Sequence, residues 1–315
     1  MILIAGGSGF FGFNVARCLA ERGEETLLVQ RHPIQAPPLL EPYWGKQVRQ
    51  AAGDILDLSF VLGLVKEFSI ESIIHAAHGT AGVREEYGYD PPLHQPIAVQ
   101  VQGTLNCLEA GRIMDLRRVT FVSSVVVYRG WPKDCDIWHE DAYLPPVSFA
   151  EIGNKKKAVE QLLLLYVKKY GLSVVSIREG HNYGPACDWH SINTMIRNAV
   201  AGVPSDFRGI RSNLRRHTVY AKDSGEGTCM IHLAKSLDHY IYNLSDGENP
   251  TMEEIAQAIK ELVPGAEIHL GPPAKEKTKN VPVSMERMKE EFGFIPYDVK
   301  KGVAAFIDFI QSGKY

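Results

Sequence analysis

No stretch of this chain approaches the ~20 consecutive apolar residues that a bilayer-spanning helix needs, so no membrane-spanning segment is expected in its 315 residues. Cysteine is scarce and scattered. Cys18, Cys107, Cys135, Cys187 and Cys229 form no C-x-x-C pair and no Cys/His ligand spacing. Neither a disulfide framework nor a metal site is expected, and a reducing cytoplasm is the simplest compartment. Each thiol reads as a small packed hydrophobe. A surplus of positive charge is missing too: 34 Lys and Arg face 37 Asp and Glu, for a net charge of -3. That balance argues against a nucleic-acid partner held by bulk electrostatics. The apolar run at Met1 has no basic region before it and no cleavage-like site after it, so it does not read as a signal peptide. Internal repeats and low-complexity linkers are also lacking.

What remains is a chain with 45% hydrophobic residues, long enough to bury roughly three quarters of its unfolded surface without staples. One large domain or two intimate ones are possible. Its most informative stretch is the first dozen residues. Met1-Ile2-Leu3-Ile4-Ala5 reads as a strand, Gly6-Gly7-Ser8-Gly9-Phe10-Phe11-Gly12 as a turn, and Phe13 to Gly23 as an amphipathic helix closed by glycine. Strand, glycine turn and helix in that order let backbone N–H groups and the positive end of a helix meet a pyrophosphate. Gly6 allows the tight turn, Gly9 keeps a side chain off the phosphates, and Gly12 lets helix pack on strand. Ser8, Phe10 and Phe11 belong to the same cofactor-binding loop.

The spacing Gly6-x-x-Gly9-x-x-Gly12, with Phe10 after the middle glycine, resembles the turn of the extended short-chain dehydrogenase/reductase family, the NAD-dependent epimerase/dehydratases. The resemblance implies a doubly wound parallel α/β (Rossmann) sheet with a smaller C-terminal substrate domain. The expected division is residues 1–179 for the dinucleotide and 180–315 for the substrate, with about 217–244 returning to the sheet. Glu25 to Val29 reads as the second strand. An acidic residue at its end would bind the ribose 2′-OH of NAD. Gln30-Arg31-His32 stands there instead, and Arg31 can fork onto a 2′-phosphate, so NADP is expected, with NAD as the alternative. Four prolines make Pro33 to Gly45 a surface connection. Gly53-Asp54-Ile55-Leu56-Asp57 matches the family's G-D-x-x-D, which implies that Asp54 faces the adenine beside Ile55, while Asp57 caps the helix Leu58 to Phe68. His75-Ala76-Ala77 matches H-x-A, whose small residues, Ala76 and Ala77, let the cofactor lie close. His75 reads as a packed structural histidine and His78 as a residue at the cofactor edge. Gly79 to Gln95, with Tyr87, Tyr89 and His94, reads as a loop beside the site, and Ile97 to Met114 as a helix whose Gln100 replaces the Asn of N-V-x-G-T.

Ser123-Ser124-Val125-Val126-Val127-Tyr128 resembles S-S-x-x-x-Y-G, with Arg129 in the glycine's place. The resemblance implies that Ser124 polarises a substrate oxygen, although a Ser-Ser pair can also simply end a strand. An acidic, proline-ended loop, Glu140 to Val147, leads to the next helix, where the family carries a catalytic Tyr-x-x-x-Lys. One helical turn would put that phenol and ammonium on one face, and the phenol would move the proton that accompanies hydride transfer. Here Phe149-Ala150-Glu151-Ile152-Gly153-Asn154-Lys155-Lys156-Lys157-Ala158-Val159-Glu160 runs through the segment. Counting back from Glu160 places Lys156 as the lysine and Ile152 where tyrosine belongs. Lys156 is expected to orient the ribose and supply positive charge. The only Tyr-x-x-x-Lys, Tyr297 to Lys301, is out of order and reads as chance.

Three accounts of the missing phenol stay open: another residue does the acid/base work, the protein binds dinucleotide without turnover, or the chemistry needs no relay there. Arg178-Glu179-Gly180-His181-Asn182-Tyr183-Gly184-Pro185 resembles R-P-x-N-V-Y-G-P, which puts His181 where the family's substrate-facing Asn stands. Histidine exchanges a proton near neutral pH and an amide does not, so His181 is the expected substitute, with Glu151 second. Arg208, Arg211, Arg215 and Arg216 read equally as a clamp for an anionic substrate group or as a solvated basic loop. Thr251-Met252-Glu253-Glu254 opens a helix with a capping box. The implied chemistry is epimerisation, dehydration or carbonyl reduction on a sugar or nucleotide-sugar-like small molecule. A cofactor sensor and a non-redox lyase or isomerase are the alternatives. The family often dimerises through helices corresponding to Ile97–Met114 and Phe149–Lys169, so a homodimer is expected.

Overall fold

The computed structural model describes residues 1–78, 93–129, 135–146, 151–187, 190–275 and 281–313. The apolar runs become β1 (Ile2–Ala5), β2 (Thr26–Gln30), β3 (Val48–Ala52), β4 (Ser72–His75), β5 (Arg118–Ser124) and β6 (Val174–Glu179). They are followed by β7 (His181–Tyr183), β8 (Ser205–Arg211), β9 (Thr218–Tyr220), β10 (Ile241–Leu244) and β11 (Ile268–Gly271). One sheet runs β10-β6-β5-β4-β1-β2-β3, parallel throughout. Two small parallel pairs, β7 with β9 and β8 with β11, lie outside it.

The helices are α1 (Phe10–Glu21), α2 (Leu58–Glu67), α3 (His94–Ile113), α4 (Glu151–Tyr170), α5 (Ser191–Ala201), α6 (Ala221–Leu233), α7 (Met252–Leu262), α8 (Glu286–Phe292) and α9 (Val299–Gln311). Alternation along the strands explains their placement. Leu3, Leu27, Ile73 and Phe121 pack with Leu64 of α2, Leu108 of α3 and Val159 of α4. Ile2, Ile4, Leu28 and Val122 face the other way, onto Val15 and Leu19 of α1 and Cys229 of α6. A sheet covered on both faces needs apolar residues at nearly every position, which is why β1 reads as a continuous run. The chain builds β1 to β3 in one direction, then β4 to β6 in the other. The crevice beyond the carboxyl ends of β1 and β4 is therefore the switch point where doubly wound sheets take ligands. Among the C-terminal elements, α5, α7 and α9 gather a separate core around Ile196, Ile259 and Phe306, while β10 joins the main sheet beside β6.

Several boundaries differ from the sequence reading. α1 begins at Phe10, three residues earlier than expected, because Gly9 itself is the N-cap. His94 opens α3 instead of ending a loop. The proline-rich connection contains a 3-10 turn, Pro38–Tyr43; its Leu40 is fully buried in the α1 core, which anchors the segment. β9, within the segment expected to return to the sheet, pairs with β7. Tyr87 and Tyr89 lie outside the described residues, as does Phe149, expected near the start of α4. No helix among the described residues is long and apolar enough to cross a membrane.

Candidate active site

Gly6 sits at φ +81, and a Cβ there would come within 2.5 Å of Ala77 Cα; only glycine fits both constraints. At Gly12 a Cβ would meet Gly7 O at 2.7 Å. Gly9 differs. Its Cβ would meet nothing closer than Gly6 O at 3.4 Å, so the outer side of the turn is open. Gly9 also supplies no side-chain cap to α1, which leaves first-turn N–H groups at Phe10, Phe11 and Gly12 without an intrahelical acceptor. Open space in front of unpaired donors at a helix N-terminus fits a dinucleotide pyrophosphate.

Around that turn stand the other cofactor candidates. Arg31 is exposed just past β2. Asp54 is exposed, and its carboxylate accepts the Leu56 N–H at 2.9 Å. Ile55 is buried, with its carbonyl accepting from Asn106 at 2.8 Å. Ala76 N–H donates to Ala5 O at 2.8 Å, and Ala77 O accepts from the Gln100 amide, so the longer Gln reaches the β4 end in place of Asn. His75 is wholly buried, stacked on Phe121 at 5.9 Å. Burial, aided by the Lys156 charge, pushes its pKa down to about 3, as befits a packed structural residue. His78 is pushed down to about 4 by the same two causes.

Ser124 closes β5, and its Oγ accepts the Val126 N–H at 3.3 Å, capping a 3-10 turn, Val125–Tyr128. The residue both ends the strand and stays half-buried rather than sealed in the core. Two residues earlier, Val122 O accepts from Lys156 Nζ at 2.5 Å. That ammonium also lies 4.6 Å over the Phe121 ring. Burial pushes the Lys156 pKa down to about 7, partly opposed by the Glu179 carboxyl. Ile152, one turn ahead on α4, is half-buried hydrocarbon. Glu151 is exposed and salt-bridged to Lys155 at 2.6 Å. Glu160 meets Arg178 in a buried fork, Nη2 to Oε2 at 2.7 Å and Nε to Oε1 at 3.1 Å, which locks α4 to β6.

His181 begins β7, and its Nε2 meets His190 Nε2, with ring centroids 3.9 Å apart. His190 Nδ1 accepts the Ile192 N–H at 3.2 Å. A neutral His190 must then carry its proton on Nε2 and donate it to His181. His181 is left with Nε2 as acceptor and Nδ1 as its own donor. Burial, with Arg216 and Arg129 nearby, holds the His181 pKa well below the ordinary imidazole range.

The four arginines are not brought together. Arg208 pairs with Asp206 at 3.0 Å on the surface, and Arg211 is exposed. Arg215 donates to Asn249 O at 2.9 Å and faces Glu254 at 3.8 Å. Of the four, Arg216 is the one whose charge lowers the proton affinity of His181 and His190.

Glu179 was missed in the sequence reading. Its carboxyl is buried at the end of β6, where its Cα pairs with that of Ser124. It accepts from the Ser224 hydroxyl, and burial pushes its pKa up to about 8. The available signal was a charged residue at the proline position of R-P-x-N-V-Y-G-P.

A family model described as the NAD dependent epimerase/dehydratase family matches residues 2–245. A UDP-glucuronate 4-epimerase of Thermodesulfobacterium geofontis is 27% identical over 273 residues, covering 83% of this chain and 80% of its own. Among solved structures, a UDP-glucose 4-epimerase of Thermotoga maritima with UDP-glucose superimposes with a TM-score of 0.80 at 20% identity, over 100% of this chain and 99% of its own. A UDP-glucose 4-epimerase of Thermus thermophilus in complex with NAD gives 0.77 at 24% identity, over 98% of each chain.

Proposed function

This chain belongs to the NAD-dependent epimerase/dehydratase family, and from that membership we propose that it catalyses epimerisation, dehydration or carbonyl reduction of a nucleotide sugar, with NADP preferred over NAD. The observation that carries this reading is the placement of Lys156. Its buried ammonium rests on the Val122 carbonyl, two residues before Ser124 in the same strand, at the end of the sheet that also holds the glycine turn.

The nicotinamide, when bound, supplies the hydride acceptor and donor. The protein's own residues do the rest. Main-chain N–H groups from Phe10 to Gly12 hold the pyrophosphate, with Ser8 beside them. Arg31 forks onto the 2′-phosphate, while Asp54 and Ile55 border the adenine. Ala76 and Ala77 admit the dinucleotide close to β4. Lys156 binds a ribose hydroxyl and lends positive charge. Ser124 holds the substrate oxygen that becomes or ceases to be a carbonyl. His181 exchanges the proton that a phenol at position 152 would have carried.

A homodimer through α3 and α4 is part of the same proposal. Ile97, Ile113, Leu165 and Tyr170 of these two helices are exposed apolar side chains, and the pairing itself rests on the family resemblance.

Titration with NADPH, NADP⁺, NADH and NAD⁺, followed by a panel of sugar nucleotides, tests the reading. Expected are tighter binding of the phosphorylated pair, loss of that preference in Arg31→Ala, and a change of cofactor redox state or conversion of one sugar nucleotide. Loss of that conversion in His181→Gln, with dinucleotide affinity intact, assigns the proton step. Binding without any conversion across the panel would leave a cofactor sensor instead.

A further inference from the structure

Phe121 and Val122 are neighbours in β5, and one ammonium touches both. The Val122 carbonyl accepts from Lys156 Nζ at 2.5 Å, and the same nitrogen lies 4.6 Å from the centre of the Phe121 ring, over its face. Phe121 and Lys156 are both buried. His75 of β4 also stacks on the ring, with centroids 5.9 Å apart and planes 27° from parallel. Gly103 of α3 makes room for that imidazole, since a Cβ there would come within 3.1 Å of His75 Nε2.

An ammonium taken out of water keeps its charge only if other groups replace the solvent. The acids around Lys156 do this poorly. Glu160, one turn on in α4, is committed to Arg178 at 2.7 Å. Glu179 of β6 holds its own proton up to about pH 8. Lys155 in the same helix adds like charge. His75 and His78, from the end of β4, stay neutral near pH 7, so the ring is backed by an uncharged imidazole. What remains is the negative face of the Phe121 ring, which attracts a cation most strongly where water is absent. An ammonium has three N–H donors. The Val122 carbonyl takes one and the ring face a second, which leaves one.

We propose that Phe121 is a positioning residue for Lys156: its ring face, together with the Val122 carbonyl, holds the buried ammonium in place and leaves one N–H for a ribose hydroxyl of the dinucleotide. This deepens the function proposed above and rests on the role given there to Lys156.

The test replaces Phe121 with 4-fluoro-, 3,5-difluoro- and 3,4,5-trifluorophenylalanine. Fluorine draws electron density from the ring face and nearly keeps the ring's shape, so a role in packing alone would not register. NADPH affinity is read by calorimetric titration between about pH 5.5 and 9. The charged lysine binds the dinucleotide better, so affinity falls once the free protein's ammonium gives up its proton. We expect the onset of that fall to move to lower pH with each fluorine, by roughly one pH unit in all, the scale of a desolvated cation–π contact. Lys156→Met should remove the fall. The titration of NADPH's own 2′-phosphate is common to every protein compared. Identical profiles in wild type and all three fluorinated proteins, with binding intact, overturn this inference alone. If wild type binds no NADPH at any pH, or Lys156→Met leaves the profile unchanged, the role of Lys156 falls and the inference falls with it.

Discussion

Lys156 Nζ donates to the carbonyl oxygen of Val122 at 2.5 Å, which ties the second turn of α4 to the strand that ends in Ser124. The bond satisfies the ammonium only in part, because burial still pushes its pKa down to about 7. In the unfolded chain the group titrates near 10.4. Below pH 7 both states carry the proton. Between about pH 7 and 10 the unfolded chain binds more protons than the folded one, so this residue makes stability rise with pH across that window. Lys156→Met removes the titration. In urea unfolding without cofactor, wild type should therefore gain on the variant by roughly 3 kcal/mol between about pH 6.5 and 9.5. A gap that stays constant would mean that Lys156 is not desolvated.

Ile152 occupies the turn of α4 just before Lys156, so Ile152→Tyr would place a phenol beside that ammonium. General acid–base groups contribute roughly 10²–10⁴-fold to rate. The double variant Ile152→Tyr with His181→Gln should recover at least tenfold of the turnover lost by His181→Gln alone. No recovery would show that position 152 does not face the reacting atoms.

Gly9 and Gly6 should respond differently to a side chain. Gly9 has ordinary backbone angles, φ -85 and ψ 161, and open space at its Cβ, so Gly9→Val should leave the thermal midpoint of the cofactor-free protein nearly unchanged. Its isopropyl group would stand where the phosphates approach, and dinucleotide affinity should fall at least tenfold. Gly6→Val, with φ +81 and Ala77 Cα in the way, should destabilise the fold itself. Equal melting temperatures for the two variants would contradict this division.

Glu160 and Arg178 are nearly fully buried. Glu160→Gln leaves the guanidinium without its counter-charge, a loss of roughly 3–5 kcal/mol for a broken buried pair. Chemical denaturation measures it directly. A change below about 1 kcal/mol, the scale of a surface pair, would show that water reaches the fork.

Much of the architecture was legible because it rests on local patterns. β5 runs from Arg118 to Ser124 as the apolar alternation indicates, Asp57 caps α2 by accepting the Ser59 N–H at 2.8 Å, and the Thr251 capping box is present. The site was legible only through motif positions. Ser124 and Lys156 could be placed by register, but the four arginines looked alike in the sequence. Arg208 and Arg215 pair with nearby acids, while Arg216 is half-buried and has no ion pair among the described residues. Glu179 escaped notice because nothing beside it in the chain shows that its carboxyl is buried against Ser224.

By itself, the sequence determined the doubly covered parallel sheet and the glycine turn at its switch point. Both follow from interactions between residues a few positions apart: alternating burial, a helix cap, a backbone angle only glycine tolerates. Tertiary structure alone decided that His181, His190 and His217 share one corner, and which tautomer His181 takes. Those residues come from separate segments, and the proton each holds depends on the charges and the exclusion of water that only packing supplies.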